Sequence, residues 1–394
     1  MASCAASPAV RARPPLEIAD VFRAHGEAFA QRRALTPEQA AVLRAIARCR
    51  TAELGGHLDV CVDCGHERPS YNSCRNRHCP KCQALEQAKW IAEREERILP
   101  TAHFHVVFTI PSELHGLARF RREEVFDVLF KATARTLLDL GQKRLEAELG
   151  ATMVLHTWTR DLRFHPHVHA IVTGGGLSLD GTRWIPTRPD YFMPVKQLGA
   201  VFRDHFIQGL CALWRKGVFD GFEVPGGIER LLERVAKKSW VVYAKRPFGE
   251  ARHVLRYLGR YTHRVGISNQ RMVSMSDDGL VTFRTKDGKT VTLTGEAFLG
   301  RFVEHVLPRQ YVKIRHIGLM VASNVNTKLA RARELLAGPV PVPAPVPALA
   351  VMTWIDALLA LAGIDPLRCP VCGGTVVRRP LSDGTRPPPP LDSS

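Results

Sequence analysis

Residues 103–110 read HFHVVFTI, with Phe104, Val106, Phe108 and Ile110 at alternate positions. A period of two places them on one face of a β-strand. "TMVLHTW" predicts a second strand. "RFHPHVHAIVTGGGL" (163–177) predicts a third, with His165, His167 and His169 in alternation ahead of an apolar run. The three glycines that follow read as a tight turn, and no GK[ST] comes after them to make a phosphate loop.

Helical spacing appears elsewhere. "LEIADVFRAHGEAF" and "TPEQAAVLRAIARCR" predict two helices within 16–50, the second opened by a Thr36 cap and Pro37 at its first position. "ALEQAKWIAEREERIL" predicts a charged helix running to Pro100. Further helices are expected at about 121–147, over "VKQLGAVFRDHFIQGLCALWRK", and at about 249–264. "VTFRTKDGKTVTLTG" predicts a hairpin around Asp287–Gly288. Together these give an α+β chain in four parts. A helical and Cys-rich segment spans 15–100 and a mixed strand–helix domain spans 101–335. A stiff Pro-rich linker covers 338–350. The last part, 351–394, holds a short apolar helix, one CxxC and a disordered tail.

Composition changes the picture in two ways. The chain has 394 residues, 45% hydrophobic and 24% charged, which suits a globular protein with a real core. No apolar run of membrane-spanning length occurs, and the N-terminus lacks a signal-peptide core, so a cytosolic protein with no membrane partner is expected. The net charge of +17 favours a polyanionic partner, nucleic acid being the commonest.

Ten cysteines in a cytosolic chain suggest metal sites rather than disulfides. "CVDCGHERPSYNSCRNRHCPKC" holds Cys61-x2-Cys64 and Cys79-x2-Cys82, and two such pairs can close one structural Zn²⁺ site. Cys74 and His78 are spare ligand types, so the set could differ by one. Arg75, Asn76, Arg77 and Lys81 suggest contact with nucleic acid. Cys369 and Cys372 have no partner pair after them. They complete a site elsewhere, dimerise, or are the remnant of a degenerate ribbon.

The histidine row admits two chemistries. His167 and His169 could hold one divalent cation from one side, leaving positions for a phosphate. Alternatively all three histidines match the pattern of histidine-triad nucleotide hydrolases, where an imidazole attacks phosphorus without metal. On the helix "EARHVLRYLGRYTHRVGISNQR", Tyr257 and Tyr261 share a face, with His253 one turn earlier. Arg252, Arg256, Arg260 and Arg264 form the adjoining ridge, a surface of phenols and guanidiniums suited to a phosphodiester strand.

"PHVHAIVTGGG", "YLGRYTHRVGISN" and "SCRNRHCPKC" resemble the two-tyrosine HUH transposases of rolling-circle insertion sequences, the insertion-sequence ninety-one family, over about residues 15–335. The resemblance implies an HUH endonuclease domain, an antiparallel sheet with packed helices, behind an N-terminal zinc ribbon. It implies His167 and His169 as ligands of Mg²⁺ or Mn²⁺, and Tyr257 and Tyr261 as nucleophiles that form a 5′-phosphotyrosine on single-stranded DNA at element ends and target. Arg256, Arg260 and Arg264 would hold that DNA. The third metal ligand is not fixed by the motif: His253 is the first candidate, with His105, His156 and His165 as rivals. When active, such a protein would be associated with the bacterial nucleoid. A plasmid replication initiator or relaxase would share the chemistry. A histidine-triad hydrolase would leave the ribbon unexplained, and a non-catalytic zinc-ribbon DNA-binding protein would leave the histidine row unexplained.

Overall fold

The computed structural model describes residues 14–95, 97–245, 259, 266–337, 353, 355, 356, 359 and 365–381. In chain order these form α1 (Ile18–Arg32), α2 (Pro37–Arg48), β1 (Gly56–Cys61), β2 (Glu67–Tyr71) and α3 (Ala84–Glu95). Next come β3 (His103–Thr109), α4 (His115–Phe120), α5 (Arg122–Leu145), β4 (Ala147–Trp158), β5 (Phe164–Ser178) and β6 (Trp184–Pro186). They are followed by α6 (Val195–Trp214), α7 (Gly227–Ala236) and β7 (Val242–Lys245). The remainder is β8 (Met272–Met275), β9 (Leu280–Arg284), β10 (Thr290–Thr294), α8 (Gly295–Val303), β11 (Ile314–Gly318), α9 (Lys328–Ala337) and β12 (Val376–Pro380). Among the described residues no helix is long and apolar enough to cross a membrane. The linker at 338–350 lies outside the described residues, as do all but residue 259 of the helix expected at 249–264 and most of the helix expected after 351.

The chain divides into two compact units, each discontinuous in sequence. One draws on Met1–Trp90, His263–Val306 and Pro347–Ser394, the other on Ile91–Thr262 and Leu307–Val346. This differs from the contiguous boundaries expected near residues 100 and 335. The reason is apolar pairing. In the first unit, Phe298, Leu299 and Phe302 of α8 are buried, and the Phe302 ring meets Phe22 of α1 edge-on at 5.0 Å. Gln39 of α2 donates to the carbonyl of Val303 at its end. Thr36 and Gln39 form a capping box with Pro37 at the first turn, which fixes where α2 starts. The hairpin of β9 and β10 turns at Gly288 (φ +85°), as the Asp-Gly pair predicts. A separate three-stranded sheet has the order β12-β1-β2.

The second unit is built on an antiparallel sheet of order β11-β4-β5-β3-β7, with β6 added to β5. One face carries Phe104, Val106 and Phe108 from β3, Ala151, Met153 and Leu155 from β4, and Val168, Ala170 and Val172 from β5. They form a single buried core with Phe126, Phe130, Phe202 and Phe206 of α5 and α6. Because side chains alternate, the opposite face receives His103 and His105 of β3, His156 of β4, His167 and His169 of β5, and His316 of β11.

The triple glycine is not a turn. β5 runs straight through Gly174, Gly175 and Gly176 to Ser178, and the register with β4 shifts between Leu149 and Ala151. A Cβ would stand 2.6 Å from Ala102 O at Gly174, from Ile185 O at Gly175 and from Glu148 O at Gly176. Gly175 also takes φ +149°. The glycines therefore admit neighbouring backbone at a bulge. The Thr173 hydroxyl fills the gap in the ladder, accepting from Gly150 N–H at 3.0 Å and donating to Gly175 O at 2.6 Å.

Candidate functional site

Strand register assembles the histidines. His156 lies directly across from His167, and Val154 across from His169, so three imidazoles from β4 and β5 converge on one face. One nitrogen from each of His156, His167 and His169 lies within 4.8 Å of the others. Among the described residues, the imidazole that joins His167 and His169 is that of His156; the first-named candidate, His253, lies outside the described residues. His165 is not in that group, although its ring lies 5.3 Å from that of His167 and 5.5 Å from that of His115.

Hydrogen bonds decide which nitrogen each ring can offer. His167 Nδ1 lies 2.7 Å from the carbonyl of His165, so Nδ1 carries the proton and Nε2 keeps its lone pair. His169 Nδ1 lies 2.7 Å from His105 Nε2. For His169 to ligate through Nε2, its Nδ1–H must donate to His105, which then carries its own proton on Nδ1. His105 is thereby an orienting neighbour rather than a ligand.

Four of the rings on this face, His103, His105, His167 and His316, are held neutral. Burial pushes the pKa of His167 down to about 4. Burial, helped by Lys245, does the same for His105, also to about 4. His103 drops to about 4 by burial alone, against a partial offset from the Thr101 carbonyl. His316 falls to about 4 through burial and then Arg94 and Arg97. Neutral imidazoles are the form that binds metal. These histidines ionise near 6.5 when unfolded, so below that pH the unfolded chain binds more protons than the folded one. Stability is therefore complete above about pH 6.5 and is lost as pH falls toward 4. In EDTA-treated protein, the urea midpoint of the transition that reports this unit is expected to drop over that window, and His103→Asn is expected to flatten the slope.

Tyr257, Tyr261, Arg256, Arg260 and Arg264 lie outside the described residues. Of the described tyrosines, Tyr311 is buried and donates to Asp127 at 3.1 Å. Burial raises its pKa, keeping it a phenol and an unsuitable nucleophile. Tyr243 is exposed on β7, across from Val107 and so on the histidine face.

The cysteines form two clusters. Cys61 and Cys64 do not close a site with Cys79 and Cys82, as the spacing suggested. Cys79 and Cys82 instead gather with Cys49 and Cys74, while Cys61 and Cys64 gather with Cys369 and Cys372. In each set all four sulfurs lie within 4.8 Å of one another. The physical reason is strand pairing: β1, which ends at Cys61, runs beside β12, so its knuckle faces the C-terminal pair. Cys49 caps the end of α2, its N–H donating to Ile46 O, and its sulfur sits 3.4 Å from that of Cys82. Sulfur contacts from Cys49, Cys74 and Cys79 push the Cys82 thiol down, toward the thiolate that a metal needs. Cys49 was legible only by parity. Five cysteines within 61–82 and a CxxC at 369–372 leave one short of two sets of four.

A family profile described as "Putative transposase" matches residues 150–328, and one described as "Transposase zinc-binding domain", of the insertion-sequence ninety-one type, matches 21–110. "Putative transposase y4qJ" of Sinorhizobium fredii (strain NGR234) is 41% identical over 96% of this chain and 98% of its own length. The chain belongs to the insertion-sequence ninety-one family of transposases. The transposase for insertion sequence element IS801 of Pseudomonas savastanoi pv. phaseolicola is 28% identical to it over 84% of this chain and 80% of that one. Among solved structures, the metal-bound conjugative relaxase TrwC with oriT DNA aligns with 40% of this chain and 70% of its own. Its identity is 15% and its TM-score 0.23. Membership makes this transposase a DNA-binding enzyme that cleaves and joins strands. The residues matched by the first profile, 150–328, span His156, His167 and His169, and also Tyr257 and Tyr261. The zinc profile contains Cys49, Cys61, Cys64, Cys74, Cys79 and Cys82, but not Cys369 or Cys372.

Proposed function

We propose that this transposase cuts and rejoins single-stranded DNA by forming a 5′-phosphotyrosine at Tyr257 or Tyr261 during rolling-circle transposition. The observation that carries the reading is the convergence of three imidazoles, His156, His167 and His169, on one sheet face. That the converging nitrogens are those of His156, His167 and His169, and not of the sequential row His165, His167 and His169, favours a metal centre over three catalytic histidines. A divalent ion held there would polarise the scissile phosphate and offset charge as it develops. The donors are all nitrogen and uncharged, which suits Mn²⁺ better than Mg²⁺.

The tyrosine oxygen bonds to phosphorus as the bond from phosphorus to the 3′ oxygen breaks. The phenol loses its proton and the departing 3′ oxygen gains one, so the step consumes no net proton. Because the phosphodiester energy is kept in the tyrosine ester, reversal by another 3′-OH rejoins a strand without ATP. Two tyrosines let a second strand be cut before the first is released. Arg256, Arg260 and Arg264 would grip the phosphates beside them. In the N-terminal zinc-binding domain the exposed Arg75 would add a phosphate contact, whereas Lys81 is already paired with Glu17.

The test is covalent capture on a denaturing gel, using purified transposase and single-stranded oligonucleotides spanning the element ends. With Mn²⁺ an adduct is expected, and with EDTA none. Tyr257→Phe/Tyr261→Phe abolishes it, while Tyr243→Phe leaves it unchanged. An adduct that survives in the double variant, or vanishes in Tyr243→Phe, overturns the assignment of the nucleophiles.

A further inference from the structure

We infer that the chain holds a second structural zinc ion, bound by Cys61 and Cys64 together with Cys369 and Cys372. It would be additional to the one bound by Cys49, Cys74, Cys79 and Cys82.

The sulfur geometry comes first. Cys61 Sγ lies 3.5 Å from Cys372 Sγ, and Cys64 Sγ lies 3.7 Å from Cys369 Sγ. A tetrahedron of thiolates at about 2.3 Å from zinc has edges of about 3.8 Å. A disulfide would need about 2.05 Å, so these contacts are those of ligands around a common centre.

The two pairs are also built alike. Each is a CxxCG knuckle, Cys61-Val62-Asp63-Cys64-Gly65 and Cys369-Pro370-Val371-Cys372-Gly373. In the first, Gly65 N–H donates to Cys61 O at 3.1 Å, and Cys61 N–H to His66 O at 2.9 Å. In the second, Gly373 N–H donates to Cys369 O at 2.9 Å, and Cys369 N–H to Gly374 O at 2.8 Å. The glycines take matching left-handed φ values, +72° and +74°. In the C-terminal knuckle, Val371 N–H points at Cys369 Sγ and Gly374 N–H at Cys372 Sγ, each at 3.4 Å, as suits thiolate acceptors. A residual CxxC that had lost its purpose would have no reason to keep this backbone pattern.

Independent contacts bring the pairs together. β12 pairs with β1 from His57 opposite Pro380 to Cys61 opposite Val376. The buried Asp59 of β1 accepts from Arg68 of β2 at 3.1 Å and from Arg378 of β12 at 3.0 Å, tying all three strands. Asp63 accepts from Thr375 N–H at 3.0 Å. The zinc-binding profile ends at residue 110, so half of this site lies beyond it, about 300 residues after Cys64. Zinc here would fasten the segment after the Pro-rich stretch to the N-terminal sheet, closing the intervening chain into a loop.

The test measures metal content of the full chain after exhaustive dialysis. Two zinc ions per chain are expected for wild type, and one for Cys369→Ser/Cys372→Ser. One is also expected for Cys61→Ser/Cys64→Ser, and still one when all four are replaced. A single zinc in wild type, two in Cys369→Ser/Cys372→Ser, or iron in place of the second zinc overturns the inference. Should the variants fold badly, wild type decides by alkylation and peptide mass spectrometry. Cys61, Cys64, Cys369 and Cys372 are expected to be protected together and released together by chelator. Cys211, in neither cluster, serves as the reference. Alkylation of Cys369 and Cys372 in zinc-loaded protein while Cys61 and Cys64 stay protected would refute the shared site.

Discussion

His156→Ala is expected to lower single-strand cleavage by about 10³-fold at a fixed low Mn²⁺ concentration, as befits loss of about 4 kcal/mol of charge stabilisation in the transition state. No motif contains His156, so the effect would follow from strand register alone, which sets it across from His167. His105→Ala is expected to behave differently. His105 meets the far nitrogen of His169, and removing such an orienting partner weakens metal affinity by about ten- to a hundredfold. Raising Mn²⁺ should restore most of the His105→Ala rate and little of the His156→Ala rate. His165→Ala, outside the cluster, should remain near wild type. Initial rates across a Mn²⁺ titration separate the three. Wild-type cleavage by His156→Ala throughout the titration would remove it from the metal centre.

Zinc removal should have the largest effect on stability. Cys49 and Cys79 are each 1% exposed and pack where α2 ends and the second knuckle begins. Without metal these sulfurs lose the common charge that draws them together, and structural zinc contributes about 10–16 kcal/mol of apparent binding energy at neutral pH. Chelation is therefore expected to abolish the cooperative melting of the zinc-binding unit. Hydrogen exchange should show protection lost across β1, β2 and the end of α2. The sheet of β3, β4 and β5 should keep its protection, because its core is phenylalanine and aliphatic side chains with no cysteine ligand. An unchanged melt after proven zinc loss would make the metal ornamental.

Much of this was legible because it is local. The Thr36 cap followed by Pro37, the alternation of Phe104, Val106 and Phe108, and the Asp-Gly hairpin are patterns of a few residues, and each forms as read. The glycines after the histidine strand were misread because a turn and a crowded bulge use the same residue for different reasons. In the turn, φ decides. Here the nearness of Ala102, Ile185 and Glu148 backbone decides, and that is invisible until strands are paired.

The sequence by itself determined which residue types could do the chemistry: paired histidines on a strand, a YxxxY segment with arginines, ten cysteines of which six stand in CxxC pairs, and a charge of +17 that favours a polyanionic partner. It also carried enough local identity to place the chain in its family. Only the tertiary structure decided which of these groups meet. His156 joins His167 through cross-strand register, and Cys61 and Cys64 turn from the neighbouring CxxC to one about 300 residues away. Residues 263–306 leave the histidine-bearing unit for the N-terminal one. The physical reason is common to all three. Spacing along a chain fixes only contacts within a turn or a knuckle, whereas long-range partners are chosen by strand register and by which apolar faces bury each other.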